Sequence, residues 1–174
     1  MSSELRFTSA WFEVRRDEAR RPDGSVGQYD HVVAPPAVTV LAVGDDRRVA
    51  VTRQWIYTHA EPQWRLPAGR VDDRDGEPAA AARRELAEET GVVARVWTPL
   101  GAINCADSLT DHRDHAFLAT GLTIGDTSLE PGESDLELHW FPVDELIAMT
   151  LDGRLPHAGS TFAVLSAKVR GLLG

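Results

Sequence analysis

The feature of the sequence that most constrains its fold is an alanine-rich segment that runs from Pro78 to a glycine at position 91. Proline is tolerated in the first turn of a helix, alanine has the highest helix propensity, and Gly91 stands where a helix would end. The segment therefore predicts a helix from about Pro78 to Thr90. We take this helix as the element around which the rest of the chain is organised.

Three carboxylates lie on one side of the predicted helix, within about one turn. Glu85 and Glu89 are four residues apart, and Glu88 follows Glu85 by three residues. Each like-charge pair at this spacing costs roughly 0.2 to 0.5 kcal/mol, and the helix macrodipole disfavours anions near the C-terminus. Arg84 can reach Glu88, but one guanidinium does not balance three carboxylates. The helix therefore either binds a divalent cation, since Mg2+ prefers oxygen ligands, or presents a solvated face of Arg–Glu pairs.

The surrounding residues resemble the Nudix box, a pattern of Gly, five residues, Glu, seven residues, and then Arg-Glu-apolar-x-Glu-Glu-x-Gly-apolar. Gly69 opens the pattern, and RELAEETGV at positions 84–92 matches its second half without a mismatch. The first half is one residue longer than the pattern, and its acidic residue is either Glu77 or Asp75 as a shorter substitute. We assign the extra residue to the loop 71–76, because loops tolerate insertions.

The resemblance implies metal-assisted attack of water on a diphosphate linkage. By resemblance, Glu85 and Glu89 are the main ligands of Mg2+ or Mn2+, and the backbone carbonyl of Ala68 is a further ligand. Glu88 is a ligand or a partner of Arg84, and we also count it among the catalytic residues. The metal would neutralise the substrate phosphates, orient the nucleophile and stabilise the leaving group.

The resemblance also implies that the catalytic base comes from the loop before the last strand, here residues 130–135. We predict Glu133 as the base, because Gly132 beside it would let the loop approach the metal. Glu130 and Asp135 are the alternatives. A solvated acidic loop without a catalytic role is the competing interpretation.

Composition limits the class of protein. The chain has 174 residues, 43% of them apolar, without a long apolar run, which predicts a single domain over 1–174 and no membrane span. The net charge of −9 argues against long nucleic acid as a partner, since phosphate backbones are bound through basic surface. No signal peptide is evident and Cys105 is the single cysteine, so we expect a cytoplasmic protein without an intramolecular disulfide.

Further segments predict strands and helices on both sides of the first helix. We expect an N-terminal β-hairpin extension at about 1–36 with a turn at Pro22-Asp23-Gly24, and a buried strand 37–43 paired with 48–54. Other predicted elements are strands at 94–103, 114–120 and 136–141, a helix at 142–151, and a helix at 160–173 with Phe162, Leu165, Val169 and Leu172 as its apolar residues. This order predicts an α+β fold, an α/β/α sandwich around a mixed β-sheet, as in the Nudix fold.

Three features resemble the Nudix branch that hydrolyses ADP-ribose and related nucleoside diphosphate sugars. They are the N-terminal hairpin, the LPAG segment at 66–69 and the LHWFPVDEL segment at 138–146. The resemblance implies a homodimer formed through the N-terminal strands, with Trp11 or Phe12 stacked on the base. The further candidate substrate-binding residues are Arg53, Arg65 and Arg113. The competing interpretations are a core aromatic residue and ordinary exposed arginines.

The sequence also departs from this branch. Arg65 and His112 replace common Glu residues, Ile56 replaces a common Arg, and Ala106 stands where many members have Pro. We predict a hydrolase that cleaves the diphosphate linkage of a nucleoside diphosphate derivative, with ADP-ribose or an ADP-sugar as the first candidate. The alternatives are a nucleoside triphosphate pyrophosphohydrolase of the sanitising type and a non-catalytic nucleotide-sensing module. Sanitising members are usually shorter and lack the hairpin, and sensors usually lose carboxylates that this chain keeps.

Overall fold

The computed structural model describes residues 2–129 and 134–174. In chain order these residues form β1 (Ser3–Thr8), β2 (Glu13–Arg20), β3 (Val26–Val33), β4 (Ala37–Ala42), β5 (Arg48–Ile56), β6 (Glu61–Arg65), β7 (Ala68–Arg70), α1 (Pro78–Thr90), β8 (Val92–Asn104), β9 (Arg113–Ile124), β10 (Glu137–Pro142), α2 (Val143–Leu151) and α3 (Ala158–Val169). The alanine-rich segment forms α1 with the predicted bounds. No helix among the described residues is long and apolar enough to cross a membrane.

The central sheet has the strand order β7-β4-β9-β8. It is mixed, because β4 and β9 run parallel whereas β7 and β8 pair antiparallel with their neighbours. The side chains of α1 pack in a cluster on one face of this sheet, and those of α3 pack in a second cluster on the other face. This arrangement confirms the predicted α/β/α sandwich around a mixed sheet.

The position of β4 inside the central sheet explains why its sequence is almost entirely apolar. Val40 and Ala42 belong to the cluster under α1, whereas Leu41 belongs to the cluster under α3. Successive side chains of a strand point to opposite faces, so a strand covered on both faces needs apolar residues throughout. Each fully buried Val or Leu contributes roughly 1.5 to 3 kcal/mol.

The prediction that 48–54 pairs with the strand 37–43 was wrong. β5 belongs to a separate antiparallel sheet with the order β10-β5-β6, and one isolated bridge between Val43 and Val49 joins it to the end of β4. The physical reason is that a strand has two edges, and both edges of β4 are taken by β7 and β9. The turn after β4 therefore leads the chain into a second sheet.

The N-terminal segment predicted as a hairpin forms β2 and β3, and β1 adds a third strand to the same sheet. The hairpin turn places Gly24 at φ 85, a conformation that favours glycine, and its N–H donates to Arg21 O at 2.9 Å. The sheet attaches to the loop before β9, where the Tyr29 hydroxyl donates to Ser108 O at 2.6 Å. A second contact, in which Arg70 Nη1 donates to Ala10 O at 3.0 Å, holds the turn between β1 and β2 beside β7 of the central sheet.

The last helix differs from its prediction in both bounds and buried face. α3 starts at Ala158 and ends at Val169, and the apolar residues on its buried side are Ala163, Val164 and Ala167. Leu165, Val169 and Leu172 are exposed, and of the four predicted apolar residues only Phe162 packs against the core cluster. Small side chains prevail on this face because the helix begins close to the sheet: a Cβ atom on Gly159 would overlap the Asp114 carboxylate.

Candidate active site

The position of α1 on the central sheet is fixed by its buried side chains and by the residue that ends it. Ala82 and Leu86 are fully buried beneath it. Gly91 ends the helix at φ 67, and its N–H donates to Ala87 O at 2.9 Å. A Cβ atom on Gly91 would also overlap Gly125 O, so glycine is required for both conformation and space. The buried residues Ala82 and Leu86, together with the cap at Gly91, fix where the helix carboxylates lie.

Glu85 and Glu89 face β7 and are almost entirely buried, with 7% and 4% of their surfaces exposed. The Ala68 N–H donates to Glu89 Oε2 at 3.1 Å. Gly69 lies against the Glu85 carboxyl group and leaves no room there for a Cβ atom. The glycine that opens the box therefore allows β7 and the helix carboxylates to approach each other.

The Arg84 guanidinium connects the helix to the preceding loop. Its Nε and Nη2 donate to the two oxygens of Asp75 at 3.0 and 2.9 Å. Its Nη1 donates to Glu85 Oε1 at 2.7 Å and to Glu88 Oε2 at 2.9 Å. Nη2 also donates to Arg70 O at 2.9 Å, so all five N–H donors of the guanidinium are used.

These contacts distinguish the two candidates for the upstream glutamate of the box. Asp75 forms the bidentate pair with Arg84, whereas Glu77 is the N-cap residue of α1 and makes no capping hydrogen bond with its side chain. The hydrogen bonds from Arg84 lower the pKa of Asp75 to about 2, and the same pair raises the pKa of Arg84 above its ordinary value. Asp75, the shorter acid, is therefore the candidate that pairs with Arg84 of the box.

The donor set on α1 fits a hard divalent ion. Mg2+ is usually held by one or two carboxylates together with waters and substrate phosphates. Glu85 and Glu89 supply two buried carboxylates beside the backbone of Ala68, and Arg84 donates hydrogen bonds to both Glu85 and Glu88. Among the described residues no three acidic, His or Cys side chains lie close enough to form a metal-binding group by themselves, so waters and substrate phosphates would have to complete the coordination of an ion at Glu85 and Glu89.

A cavity of about 410 Å³ opens beside Ala68 and Gly69. Its other lining residues are Trp11, Ala34, Pro35, Pro36, Ala37, Arg65, Arg70, Cys105, His112, Asp114, His157 and Ala158. Trp11 is 66% exposed, and the Arg70 guanidinium stacks 5.1 Å from the centre of its ring. The cavity therefore lies between the backbone of β7, the turn between β1 and β2, and the beginning of α3.

Asp114 and His157 line one wall of this cavity, and the buried Thr39 contacts Asp114. Asp114 is 3% exposed, and the Thr39 hydroxyl lies 3.0 and 2.9 Å from its two oxygens. Burial raises the pKa of Asp114. Burial, together with the charge of Arg65, lowers the pKa of His157 to about 3, so this imidazole is neutral near pH 7. Arg65 Nε is also buried and has no hydrogen-bond partner among the described residues.

The predicted site residues fall into two groups. Trp11, Arg65 and Ala68 line the cavity, and the backbone of Ala68 and Gly69 connects it to Glu89 and Glu85. Arg53 and Arg113 are not among the lining residues. The Arg53 guanidinium lies 5.5 Å from the centre of the Trp64 ring and 3.9 Å from the Glu137 carboxylate. Arg113 is exposed where β9 begins.

The predicted catalytic base, Glu133, and its alternative Glu130 lie outside the described residues. The second alternative, Asp135, is described, and its Oδ2 accepts a hydrogen bond from the backbone N–H of Trp55 at 2.8 Å. This contact ties Asp135 to the end of β5.

Sequence reasoning missed Asp114 and His157 as cavity residues. Asp114 reaches the cavity through the parallel pairing of β9 with β4, and His157 through the docking of α3 on the sheet. Neither position has a local motif. The only signal was a polar residue at the start of a predicted strand and another before a predicted helix.

Comparison with known proteins identifies the family. The NUDIX domain model matches residues 33–162, which is most of the chain. The chain belongs to the Nudix hydrolase family. It is 32% identical over 167 residues to an ADP-ribose pyrophosphatase of Mycobacterium tuberculosis (strain ATCC 25618 / H37Rv), a match that covers 95% of this chain and 81% of the relative.

Two further comparisons agree with this Nudix assignment. The chain is 29% identical over 166 residues to a CMP-5'-(N-acetyl-N-hydroxy-3-aminopropyl)phosphonate hydrolase of Streptomyces rubellomurinus (strain ATCC 31215), covering 95% of this chain and 79% of that protein. The fold is similar to the crystal structure of an ADP compounds hydrolase, with a TM-score of 0.84 and 20% identity over 99% of this chain and 95% of the other. At that identity the second likeness concerns the fold alone.

Proposed function

We propose that this Nudix hydrolase cleaves the diphosphate linkage of ADP-ribose or a related ADP-sugar by attack of water. The observation that supports the proposal best is the position of two buried helix carboxylates, Glu85 and Glu89, beside a cavity that carries an aromatic and a cationic side chain. Trp11 and Arg65 are those side chains. A nucleoside diphosphate derivative has the matching parts, since it combines a flat base with two charged phosphates.

Each part of the site has a proposed role. Glu85, Glu89 and the carbonyl of Ala68 would hold Mg2+ or Mn2+, which would supply positive charge for the diphosphate and lower the pKa of the attacking water. Arg84 keeps Glu85 and Glu88 oriented through its hydrogen bonds. An aromatic side chain such as Trp11 can stack on a base of any identity.

The remaining roles are assigned in the same way. Arg65 pairs with a phosphate oxygen, because a guanidinium is a good partner for phosphate. Arg53 and Arg113 are assigned weaker roles in attracting the anionic substrate, since both lie outside the lining of the cavity. Glu133 accepts the proton of the attacking water.

We further propose that the chain is a single domain whose N-terminal sheet forms a homodimer interface, and that it acts in the cytoplasm without a membrane or long nucleic acid as partner. Several apolar side chains of this sheet are exposed: Leu5, Phe7, Val26 and Tyr29. A contiguous exposed apolar patch is typical of a protein–protein contact, and Leu5 and Phe7 of β1 are our candidates for such a patch.

The substrate assignment is tested by a Mg2+-dependent turnover screen. The compounds are ADP-ribose, ADP-glucose, GDP-mannose, a CDP-sugar, NADH, coenzyme A and nucleoside triphosphates. We expect the highest kcat/KM with ADP-ribose or ADP-glucose, with AMP as a product. Consumption of the triphosphates alone would replace this assignment with a nucleoside triphosphate pyrophosphohydrolase. Binding of a nucleotide without any turnover would favour a sensing module.

The catalytic base is tested separately with Glu133→Gln, Glu130→Gln and Asp135→Asn. We expect a fall of about 10² to 10⁴ in kcat for Glu133→Gln alone, the range typical of general base catalysis. Normal activity in this variant removes Glu133 from the mechanism. Loss in one of the other two variants would identify the base instead.

A further inference from the structure

The wall of the cavity contains a gap between two polar atoms that do not reach each other. His157 Nε2 lies 4.0 Å from Asp114 Oδ2. This separation is too long for a direct hydrogen bond, and both residues line the cavity. A single oxygen atom placed between them, about 2.8 Å from each, would satisfy both.

The surroundings of His157 fix the position of its ring proton. The Ser160 N–H lies 3.3 Å from Nδ1, and an amide N–H can only donate. The Ser160 hydroxyl is 2.9 Å from the same atom and itself accepts the Leu66 N–H at 2.8 Å, which leaves its own proton for Nδ1. Nδ1 is therefore an acceptor, and the neutral ring carries its proton on Nε2. His157 presents a donor to the gap.

Asp114 presents the complementary acceptor. A serine or threonine hydroxyl has one proton, so Thr39 can satisfy only one of the two carboxylate oxygens at a time. Asp114 is 3% exposed and lines the cavity. A buried carboxylate needs hydrogen-bond donors, and the gap next to His157 is where another donor fits.

A hydroxyl group matches this gap better than a phosphate or carbonyl oxygen does. A hydroxyl accepts one hydrogen bond and donates another, as the pair requires. A phosphate oxygen has no proton to donate to Asp114, and its charge is repelled by the carboxylate. We propose that His157 and Asp114 together bind a sugar hydroxyl of the substrate. The inference rests on the proposed function and assigns the part of the ligand that this wall recognises.

The sugar hydroxyl can come from the nucleoside ribose or from the terminal ribose, and two analogues distinguish these sources. The first is 2'-deoxyadenosine diphosphate ribose, which lacks a nucleoside hydroxyl. The second is an ADP ethyl ester, which lacks the terminal sugar. We expect the wild type to lose about tenfold in kcat/KM, relative to ADP-ribose, with one of the two.

Two variants of His157 separate its contact with the ligand from its capping of α3. His157→Asn keeps a good N-cap acceptor for the Ser160 N–H but does not reach the position of Nε2. His157→Gln places an amide donor near that position. The penalty for the missing hydroxyl is the loss in kcat/KM with the analogue relative to ADP-ribose. We expect this penalty to disappear in His157→Asn and to return in part in His157→Gln. The exposed His59→Asn serves as the control and keeps the wild-type penalty.

The comparison of substrates across variants is a double-mutant cycle, so a general loss of activity cancels. Equal penalties in the wild type and His157→Asn, with both analogues, would overturn the proposal for His157 and Asp114 while the proposed function stands. The absence of any penalty in the wild type would overturn it as well. A wild type that does not hydrolyse ADP-ribose would overturn both the proposed function and this inference, and the substrate screen detects that failure independently.

Discussion

Gly69 lies so close to the Glu85 carboxyl group that a Cβ atom at position 69 would overlap its carbon and both oxygens. The variant Gly69→Ala must therefore displace the carboxylate or separate β7 from α1. We expect a loss of about 10- to 100-fold in kcat/KM and in Mn2+ affinity, the range found when the support of a metal ligand is disturbed. Steady-state kinetics and Mn2+ titration measure both.

The matched control for this prediction is Gly125→Ala. A Cβ atom on Gly125 would lie 3.5 Å from Gly91 O, an ordinary contact distance. We expect this variant to retain its activity. Equal losses in the two variants would mean that the close contact at Gly69 has no specific role.

Glu89 is the more deeply buried of the two carboxylates that face β7. Glu89→Gln keeps the size of the side chain but removes its charge, so we expect a loss of at least about a hundredfold in kcat/KM and weaker binding of Mn2+. Calorimetric titration of Mn2+ measures the affinity without substrate. The control is Glu145→Gln in the exposed first turn of α2, which should bind Mn2+ normally.

The ion pair between Asp75 and Arg84 predicts how stability depends on pH. The pKa of Asp75 falls from 3.8 to about 2 in the folded protein, so the pair stabilises the fold above the unfolded value and loses this contribution as pH falls toward about 2. Asp75→Asn should melt at a lower Tm than the wild type near neutral pH. The difference in Tm should shrink between about pH 4 and about pH 2, and a difference independent of pH would contradict the assignment.

Trp11 stacks on the Arg70 guanidinium at the mouth of the cavity. Stacking of a base on an aromatic side chain contributes about 1 to 3 kcal/mol, so Trp11→Ala should raise the KM for ADP-ribose by roughly tenfold or more. Mn2+ affinity should not change. Tyr57→Ala, which removes an exposed aromatic outside this cavity, is the control. An unchanged KM in Trp11→Ala would exclude Trp11 as the stacking residue.

The exposed apolar side chains of β1 predict a dimer that a single charge can disrupt. Phe7→Glu should shift the protein from dimer to monomer in sedimentation equilibrium, because it would bury an unpaired carboxylate in the interface. Ile124→Glu introduces the same charge at an exposed apolar position outside the N-terminal sheet and should remain dimeric. A monomeric wild type would refute the predicted interface.

Local sequence was sufficient for the helix and its carboxylates. Pro78 and Gly91 mark the ends of α1, and Glu85 and Glu89 share a face because a helix repeats every 3.6 residues. The sequence could not distinguish Asp75 from Glu77, because the path of a loop of altered length cannot be derived from its residues. The structure shows that Asp75 is the one that pairs with Arg84.

Long-range pairing could not be derived in the same way. The turn after β4 resembles a hairpin turn, but β7 and β9 lie on both sides of β4, so β5 joins a different sheet. A local pattern carries no information about which strands compete for an edge. Asp114 and His157 were missed for the same reason, since they meet only after β9 pairs with β4 and α3 docks.

The complete use of the Arg84 guanidinium has a consequence for protein engineering. Lysine offers three donors from one atom and cannot reproduce a planar fork that holds Asp75 on one side and two glutamates on the other. If the segment 71–76 were exchanged between relatives, Arg84 would lose its partner in the loop unless the new segment placed an acidic residue where Asp75 lies. The carboxylates that Arg84 orients on α1 would then be less firmly held. Libraries intended to alter nucleotide preference should keep this pair and randomise the rim around Trp11 and Arg65.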